Sequence, residues 1–339
     1  MKPNKIVIAA ALITSFIISG LHAQNLTKSG TTAAQFLKID VGPRAIGMGG
    51  AYTATADDFS AAYWNPAGLA SNLSGEAFFN HTDWFLDVAM EYVGAAVHVP
   101  GVGTIGGFVT ALTMDDMDVR TEELPEGTGE RFDAGGLAIG LSYARNLTDR
   151  FSIGFNAKYI SEYIWHSKAA GFALDIGTIY RIPIKNEFRI GASISNFGTK
   201  MKLDGRDLID IKQVGGGGGN LINTKTDIDS YELPLTFRVG IAMDVWKTEG
   251  SRLIAAVDAV HPNDHTEYLN SGLEYAWNEI FMIRGGYKSL FEKDTEQGLT
   301  AGFGIHYRLM DYVMLKIDYA YQEFGRLTDV HQFAFGIKF

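Results

Sequence analysis

The 339-residue chain has no cysteine, which excludes disulfides, thiolate nucleophiles and thiolate metal ligands together. Prolines number only 8 against 39 glycines, a balance that fits many strands joined by turns better than a proline-rich disordered polymer. Basic charge is scarce too: 29 Lys and Arg stand against 39 Asp and Glu, a formal net charge of -10. Nucleic-acid binding needs a clustered basic surface, and none is visible. Beyond Gly20 no uncharged apolar run approaches the roughly 20 residues that a membrane-crossing helix requires. A membrane role would have to be played by strands.

Catalytic and metal signatures are also missing. No serine sits in a Gly-x-Ser-x-Gly elbow. His261 and His265 in HPNDH have a spacing that suits metal binding from a helix, but Pro262 breaks that helix, and the stretch reads as a solvated outer loop. The acidic run DDMDVRTEELPEGTGE lacks the ligand spacing and turn glycine of a calcium loop, so it reads as charged surface. GGGGG at 215–219 has no following Lys-Ser or Lys-Thr to make a phosphate cradle and reads as a flexible loop. No cofactor or metal is expected, and the chain reads as noncatalytic.

What is present starts with MKPNKIVIAAALITSFIISGLHAQ. Lys2 and Lys5 precede an apolar run that ends in Leu21-His22-Ala23, the pattern of a secretory signal over residues 1–23, with Gln24 opening the mature chain. No cysteine at that point offers a lipoprotein acylation site.

Period-two alternation follows, clearest in the last third. In GLTAGFGIHYRL, Leu299, Ala301, Phe303, Ile305 and Tyr307 oppose Thr300, Gly302, Gly304, His306 and Arg308. YVMLKIDYAYQ and the closing HQFAFGIKF repeat the pattern. So does FSIGFNAKY, and LTFRVGIAMDVW sets Phe237, Val239, Ile241 and Val245 against Arg238, Gly240, Asp244 and Trp246. A soluble sandwich alternates as well. Segments of about ten residues, glycine and charge sharing one face, and alternating short and long connections favour a transmembrane antiparallel β-barrel instead. Short turns are expected at 100–102, 146–150, 183–187, 247–251, 277–279 and 309–311, and longer outer loops at 114–132, 198–234, 262–267, 288–297 and 323–329. This registry gives about fourteen strands over residues 75–339, an all-β fold.

Residues 24–74 then precede the barrel. Their centre, VGPRAIGMGGAYTATADDFSAAYWNPAGLA, fits neither helix nor strand. A barrel of about fourteen strands is too wide for its own side chains to fill, so this segment is expected to enter the lumen as a hatch. AAQFLK can form a short helix, and small residues let the backbone approach the wall. Arg44, Asp57 and Asp58 are expected to pair with lumen charges such as Lys158, Arg238, Asp244, Lys316 and Asp318. Tyr63 and Trp64 are expected to pack against the wall or line a ligand path.

The same stretch, preceded by AAQFLKI, resembles the amino-terminal signature of the PorV/PorQ family of outer-membrane proteins, within the wider group of FadL-like barrels. The matching positions are Arg44, Gly47, Met48, Gly49, Ala51, Ala56, Asp57, Asp58, Trp64, Asn65, Pro66, Ala67 and Gly68. The closing aromatic Phe339 is similar to the signal read by the barrel-assembly machinery. The resemblance implies a 14-stranded outer-membrane barrel with an amino-terminal hatch, noncatalytic, in contact with membrane lipid and docking type IX secretion or surface-exported proteins through its outer loops. The FadL comparison, carried by Asn65-Pro66-Ala67, implies passive passage of a hydrophobic ligand instead.

Overall fold

The computed structural model describes residues 28–71, 74–183, 187–214, 220–292, 295–310 and 312–339. The signal-peptide stretch and the GGGGG run lie outside them. Among the described residues, fourteen long antiparallel strands form one sheet. They are β1 (Glu76–Asp83), β2 (Val88–Val99), β3 (Gly103–Met114), β4 (Ala134–Thr148), β5 (Phe151–Ile164), β6 (Ser167–Ile182) and β7 (Phe188–Gly198). After a long connection follow β8 (Thr236–Lys247), β9 (Ser251–Pro262), β10 (Tyr268–Trp277), β11 (Phe281–Leu290), β12 (Leu299–Met310), β13 (Val313–Gln322) and β14 (Val330–Lys338). A two-residue segment, Asp204–Gly205, adds to the outer end of β6.

Each strand pairs with the next in sequence, and β1 pairs with β14 from Glu76 opposite Lys338 to Asp83 opposite His331, so the sheet closes. Closure matters because apolar surroundings cannot satisfy a free strand edge. The seam extends one residue further: Gly75 and Phe339 exchange backbone hydrogen bonds of 2.7 and 2.9 Å. There is no room for a side chain at Gly75, because an added Cβ would stand 2.3 Å from the Phe339 ring.

Residue burial alternates along the strands with the apolar set facing outward, as in Phe237, Ile241, Phe303, Ile305, Phe333 and Phe335. Inward positions carry mostly small or polar groups, with larger apolar exceptions such as Phe78, Met90, Tyr92, Phe108 and Ile160 packed inside. Trp246 departs from the expected face. A bulge between Asp244 and Trp246 shifts the register, so Val245 and Trp246 both face out and Trp246 stacks on Tyr275. Trp277 and Phe281 stack beside the next short turn, placing aromatics where an interfacial girdle belongs.

The expected short turns at 100–102, 247–251 and 277–279 coincide with strand junctions, and those at 146–150 and 309–311 are shortened because β4 runs to Thr148 and β12 to Met310. Residues 184–186 and 311 lie outside the described residues, and 115–133 and 199–235 are the longest connections. The alternation of lengths is nevertheless incomplete. On the long-loop side, β5 and β6 run on as a tall hairpin joined at Trp165 and His166 alone. Residues 288–290, expected in a loop, continue β11, because Lys288 reaches inward to a carboxylate.

Residues 33–71 lie inside this wall. They form one-turn helices at Gln35–Lys38, Pro43–Gly47, Ala61–Trp64 and Pro66–Ser71, and nearly all are buried. Close approach is possible because the wall is bare where the backbone passes: Cβ atoms added at Gly272 and Gly286 would lie 2.2 Å from the Met48 oxygen and the Gly49 nitrogen. Gly49 itself has φ +67, a conformation that favours glycine. Gly286→Leu should therefore expel or misplace this segment at an overpacking cost of about 1–3 kcal/mol, while leaving the wall's hydrogen bonds intact. The measurement is limited proteolysis of the folded barrel in micelles: new cleavage within 33–71 with unchanged heat-modifiable mobility is expected, and cleavage unchanged from the wild type would refute it.

Candidate functional site: the lumen segment and the outer cavity

The shortness of its helices leaves the lumen segment with many backbone groups that must find partners elsewhere. The wall supplies them. Asp258 on β9 accepts the N–H groups of Tyr52 and Thr53 at 3.0 and 2.8 Å. Asn156 on β5 donates to the Ala62 carbonyl at 2.6 Å, and Ser193 on β7 to the Trp64 carbonyl at 2.9 Å. Asn65 works in both directions: its Nδ2 donates to the carbonyls of Thr53 and, on β6, Thr178 at 2.8 and 3.0 Å, and its Oδ1 accepts the Ala67 N–H at 3.2 Å. Pro66 and Ala67 lie against Gly154 and Gly177, and a Cβ at Gly68 would stand 2.4 Å from the Ala56 oxygen. Asn65-Pro66-Ala67-Gly68 is thus a wall-contacting turn, and Gly47 is seated similarly against Gly302.

Charge is paired along the same contact. Arg44 presents Nε and Nη2 to the two oxygens of Glu274 on β10 at 2.8 and 3.0 Å, a bidentate geometry. Its Nη1 reaches Asp57, the Tyr52 hydroxyl at 3.1 Å and Asp58 at 3.5 Å. Tyr52 donates to Asp58 at 2.8 Å, and Asp58 also accepts the Ser60 N–H. Behind Glu274 the network continues through Arg284 at 2.9 Å to Asp318, itself 2.6 Å from Arg284, and then to His306.

The expected wall partners are corrected by this arrangement. Lys158 pairs with Asp175, Asp244 with Arg189, Lys316 with Glu76, and Asp318 with Arg284. Wall charges neutralise one another, Lys158 with Asp175 and Arg189 with Asp244 on adjacent strands, Lys316 with Glu76 and Arg284 with Asp318 across one intervening strand, and Glu274 is left to meet Arg44. Arg238 engages the segment through aromatics, with its guanidinium carbon 5.4 Å from the Trp64 ring and 5.9 Å from Tyr63. Trp64 donates to the Val41 carbonyl and Tyr63 to that of Leu37. Glu274 could have been found from the sequence: YLNSGLEYAW alternates Leu269, Ser271, Leu273 and Tyr275 against Asn270, Gly272 and Glu274.

Further out, Lys38, Thr32 and Gln35 converge on one oxygen of Asp264 at 2.9, 2.8 and 3.2 Å. Burial alone would raise the Asp264 carboxyl, but these three donors and the Lys38 charge bring it below its ordinary value. His261 and His265 take separate carboxylates, Glu267 and Glu292. Above the segment, at the long-loop end, lies a cavity of about 520 Å³ between residues 30–36, strands β2 to β6 and the connection 199–235. Phe36, Leu112, Met114, Ile164, Met201 and Leu203 give it apolar walls. That connection is built up locally: a hairpin pairs Ile209–Val214 with Asn220–Lys225, and bridges join Met201 to Tyr231 and Glu232 to Thr32.

Two outcomes test the seating. Arg44→Ala leaves Glu274 facing Arg284 and Arg252 without its lumen partner and should cost roughly 3–5 kcal/mol, the usual loss when one member of a buried pair is removed. Urea unfolding in micelles measures it, and a loss below about 1 kcal/mol would mean that the pair contributes no more than a surface one. For Asp264 the lowered carboxyl stabilises above its ordinary value of 3.8 and ceases to do so as pH falls through the depressed value. Hydrogen exchange over residues 32–38, corrected for intrinsic rate, should accelerate in that acidic range, and Asp264→Asn should show faster exchange already at neutral pH.

Residues 22–211 match the family model described as Type IX secretion system protein PorV. Among solved structures, the Pseudomonas putida toluene transporter TodX aligns with a TM-score of 0.55 at 11% identity, over 87% of this chain and 96% of that one. CymD, a monoaromatic hydrocarbon channel, aligns with a TM-score of 0.57 at 12% identity, over 88% and 97%. At such identities the likeness is one of fold. No curated protein matches the sequence.

Proposed function

The chain belongs to the PorV family, and from that premise we propose that it is a noncatalytic barrel whose outer loops dock partner or cargo proteins of a type IX secretion and surface-attachment system. The protein is an outer-membrane barrel of fourteen strands. Residues 33–71 act in this reading as the hatch that keeps the lumen shut, held by Arg44, Asp57, Asp58 and the Asn65-Pro66-Ala67 turn. Phe339 serves as the assembly signal at the closing seam.

The observation that carries the docking reading is the form of 199–235. Its hairpin holds Ile209, Ile211 and Leu221 largely exposed, an unusual use of large apolar residues outside an apolar wall. They share one face by register, Ile209 opposite Lys225, Ile211 opposite Asn223, and Leu221 opposite Gln213. Such a face gives a protein partner an apolar centre with a polar margin. The other long connection, 115–133, also holds large apolar residues exposed, Met117 and Leu124.

A second reading, passage of a hydrophobic compound, has its own support in the 520 Å³ cavity with apolar walls above the lumen segment.

Crosslinking and affinity capture from native outer membranes distinguishes the two, with proteins and lipid-soluble molecules identified from one sample. Secretion-system or exported proteins should dominate, and the double variant Ile211→Glu, Leu221→Glu should reduce their recovery about tenfold. Recovery of the barrel alone with a hydrophobic compound would overturn docking in favour of passage.

A further inference from the structure

The geometry assigns the outer cavity a chemical preference: we propose that it binds a neutral or cationic apolar molecule carrying a hydrogen-bond donor, and that Glu162 makes the choice. The inference rests on the second reading above, that the cavity takes a ligand, and goes beyond it by naming the ligand's polar group.

A volume of about 520 Å³ falls within the roughly 300–1,000 Å³ usual for small-molecule sites. Its lining is aliphatic and aromatic with a few polar groups, among them Thr32, Gln35 and Thr113. One charged side chain stands among the lining residues, Glu162. Alternation along β5 turns Glu162 inward, next to Ile160, Lys158 and Asn156 on the same face.

The carboxylate is already oriented. Its Oε2 accepts the Ala34 N–H at 2.8 Å, where the chain turns with Ala34 at φ 51. Among the described residues Oε1 has no hydrogen-bond partner, and no Lys or Arg lines the cavity to neutralise the charge. Lys158, the nearest inward cation on β5, is engaged by Asp175 and Asn196.

A carboxylate among apolar walls discriminates strongly by sign. A fatty-acid anion would bring a second negative charge beside Glu162 with no cation to offset it, whereas an amine or hydroxyl would donate to Oε1. For an ammonium the bond is charge-assisted, and the aromatic residues Phe36, Tyr163 and Tyr231 line the same cavity. The site therefore sorts ligands by head group while its walls accept one apolar body.

The test uses three probes with a common hydrocarbon body: phenylbutylamine, phenylbutanol and phenylbutyrate. Each is titrated calorimetrically into the full chain in nonionic detergent, with heat-modifiable mobility confirming that every variant is folded. The amine should bind at least about tenfold tighter than phenylbutyrate, with the alcohol between. Glu162→Gln keeps an acceptor for Ala34 N–H and removes the charge, so it should bring amine and carboxylate within about twofold of each other. Leu112→Trp, filling the cavity, should abolish binding of all three.

Equal binding of the three probes by wild type, abolished by Leu112→Trp, would overturn the role of Glu162 while leaving a ligand cavity in place. Tightest binding of phenylbutyrate would overturn it likewise. Failure of all three to bind would remove the cavity reading and this preference together.

Discussion

Closure of the sheet is the constraint from which the rest of the molecule follows. In an apolar membrane a free strand edge leaves a row of N–H and C=O groups unpaired, so β1 must meet β14, and the Gly75–Phe339 pair completes the seam. Closing fourteen strands produces an interior wider than inward side chains can span. Residues 33–71 fill it, and because their helices last only a turn they bring unpaired backbone groups with them. The wall's inward Asp, Asn and Ser residues answer those groups, and its inward glycines admit the backbone. Polar strand faces, glycine abundance and the irregular segment are thus three consequences of one topology.

The barrel itself is legible in the sequence. Strand periodicity survives in a single sequence because lipid outside and crowded polar lumen inside impose opposite chemistry on successive residues. Period-two reading puts Trp246 on the wrong face because it cannot see a bulge: one extra residue after Asp244 exchanges the faces without altering composition. The tall β5–β6 hairpin is not legible in the sequence, because alternation continues through Ser161, Glu162 and Tyr163 without a turn residue to mark the membrane's edge.

Pairing in the lumen was much less readable. Arg44 and the two aspartates announced a charged contact, but its wall partner depended on which of many inward charges stayed unclaimed. Asp175 takes Lys158 from the adjacent strand and Glu76 takes Lys316 from across β14, relations fixed by barrel geometry. Glu274 sits where Arg284 and Arg252 also converge, so three guanidinium groups share the region of one carboxylate. Asp57, Asp58 and Asp318 balance that excess of positive charge. The acidic pair in the lumen segment is therefore part of the wall's own electrostatic balance, and its members are not independent contacts.

The outer connection and the cavity meet in the same residues. Met201 and Tyr231, bridged to each other, line the cavity at the base of the hairpin that exposes Ile211 and Leu221, and Glu232 bridges to Thr32 on the opposite side of the same space. A molecule seated there would touch the lumen segment through Phe36 and the outer connection through Met201, so under the proposed docking role any difference it made to the hairpin's posture would enter the free energy of docking. Linkage makes that effect reciprocal: a partner that favours one posture of 199–235 changes the cavity's affinity by the same factor. On the functions proposed above, docking and ligand capture would draw on the same residues and so be coupled. A cavity whose contents leave the hairpin's partners unaffected would show that the bridges at Met201 and Thr32 anchor the connection without transmitting anything through it.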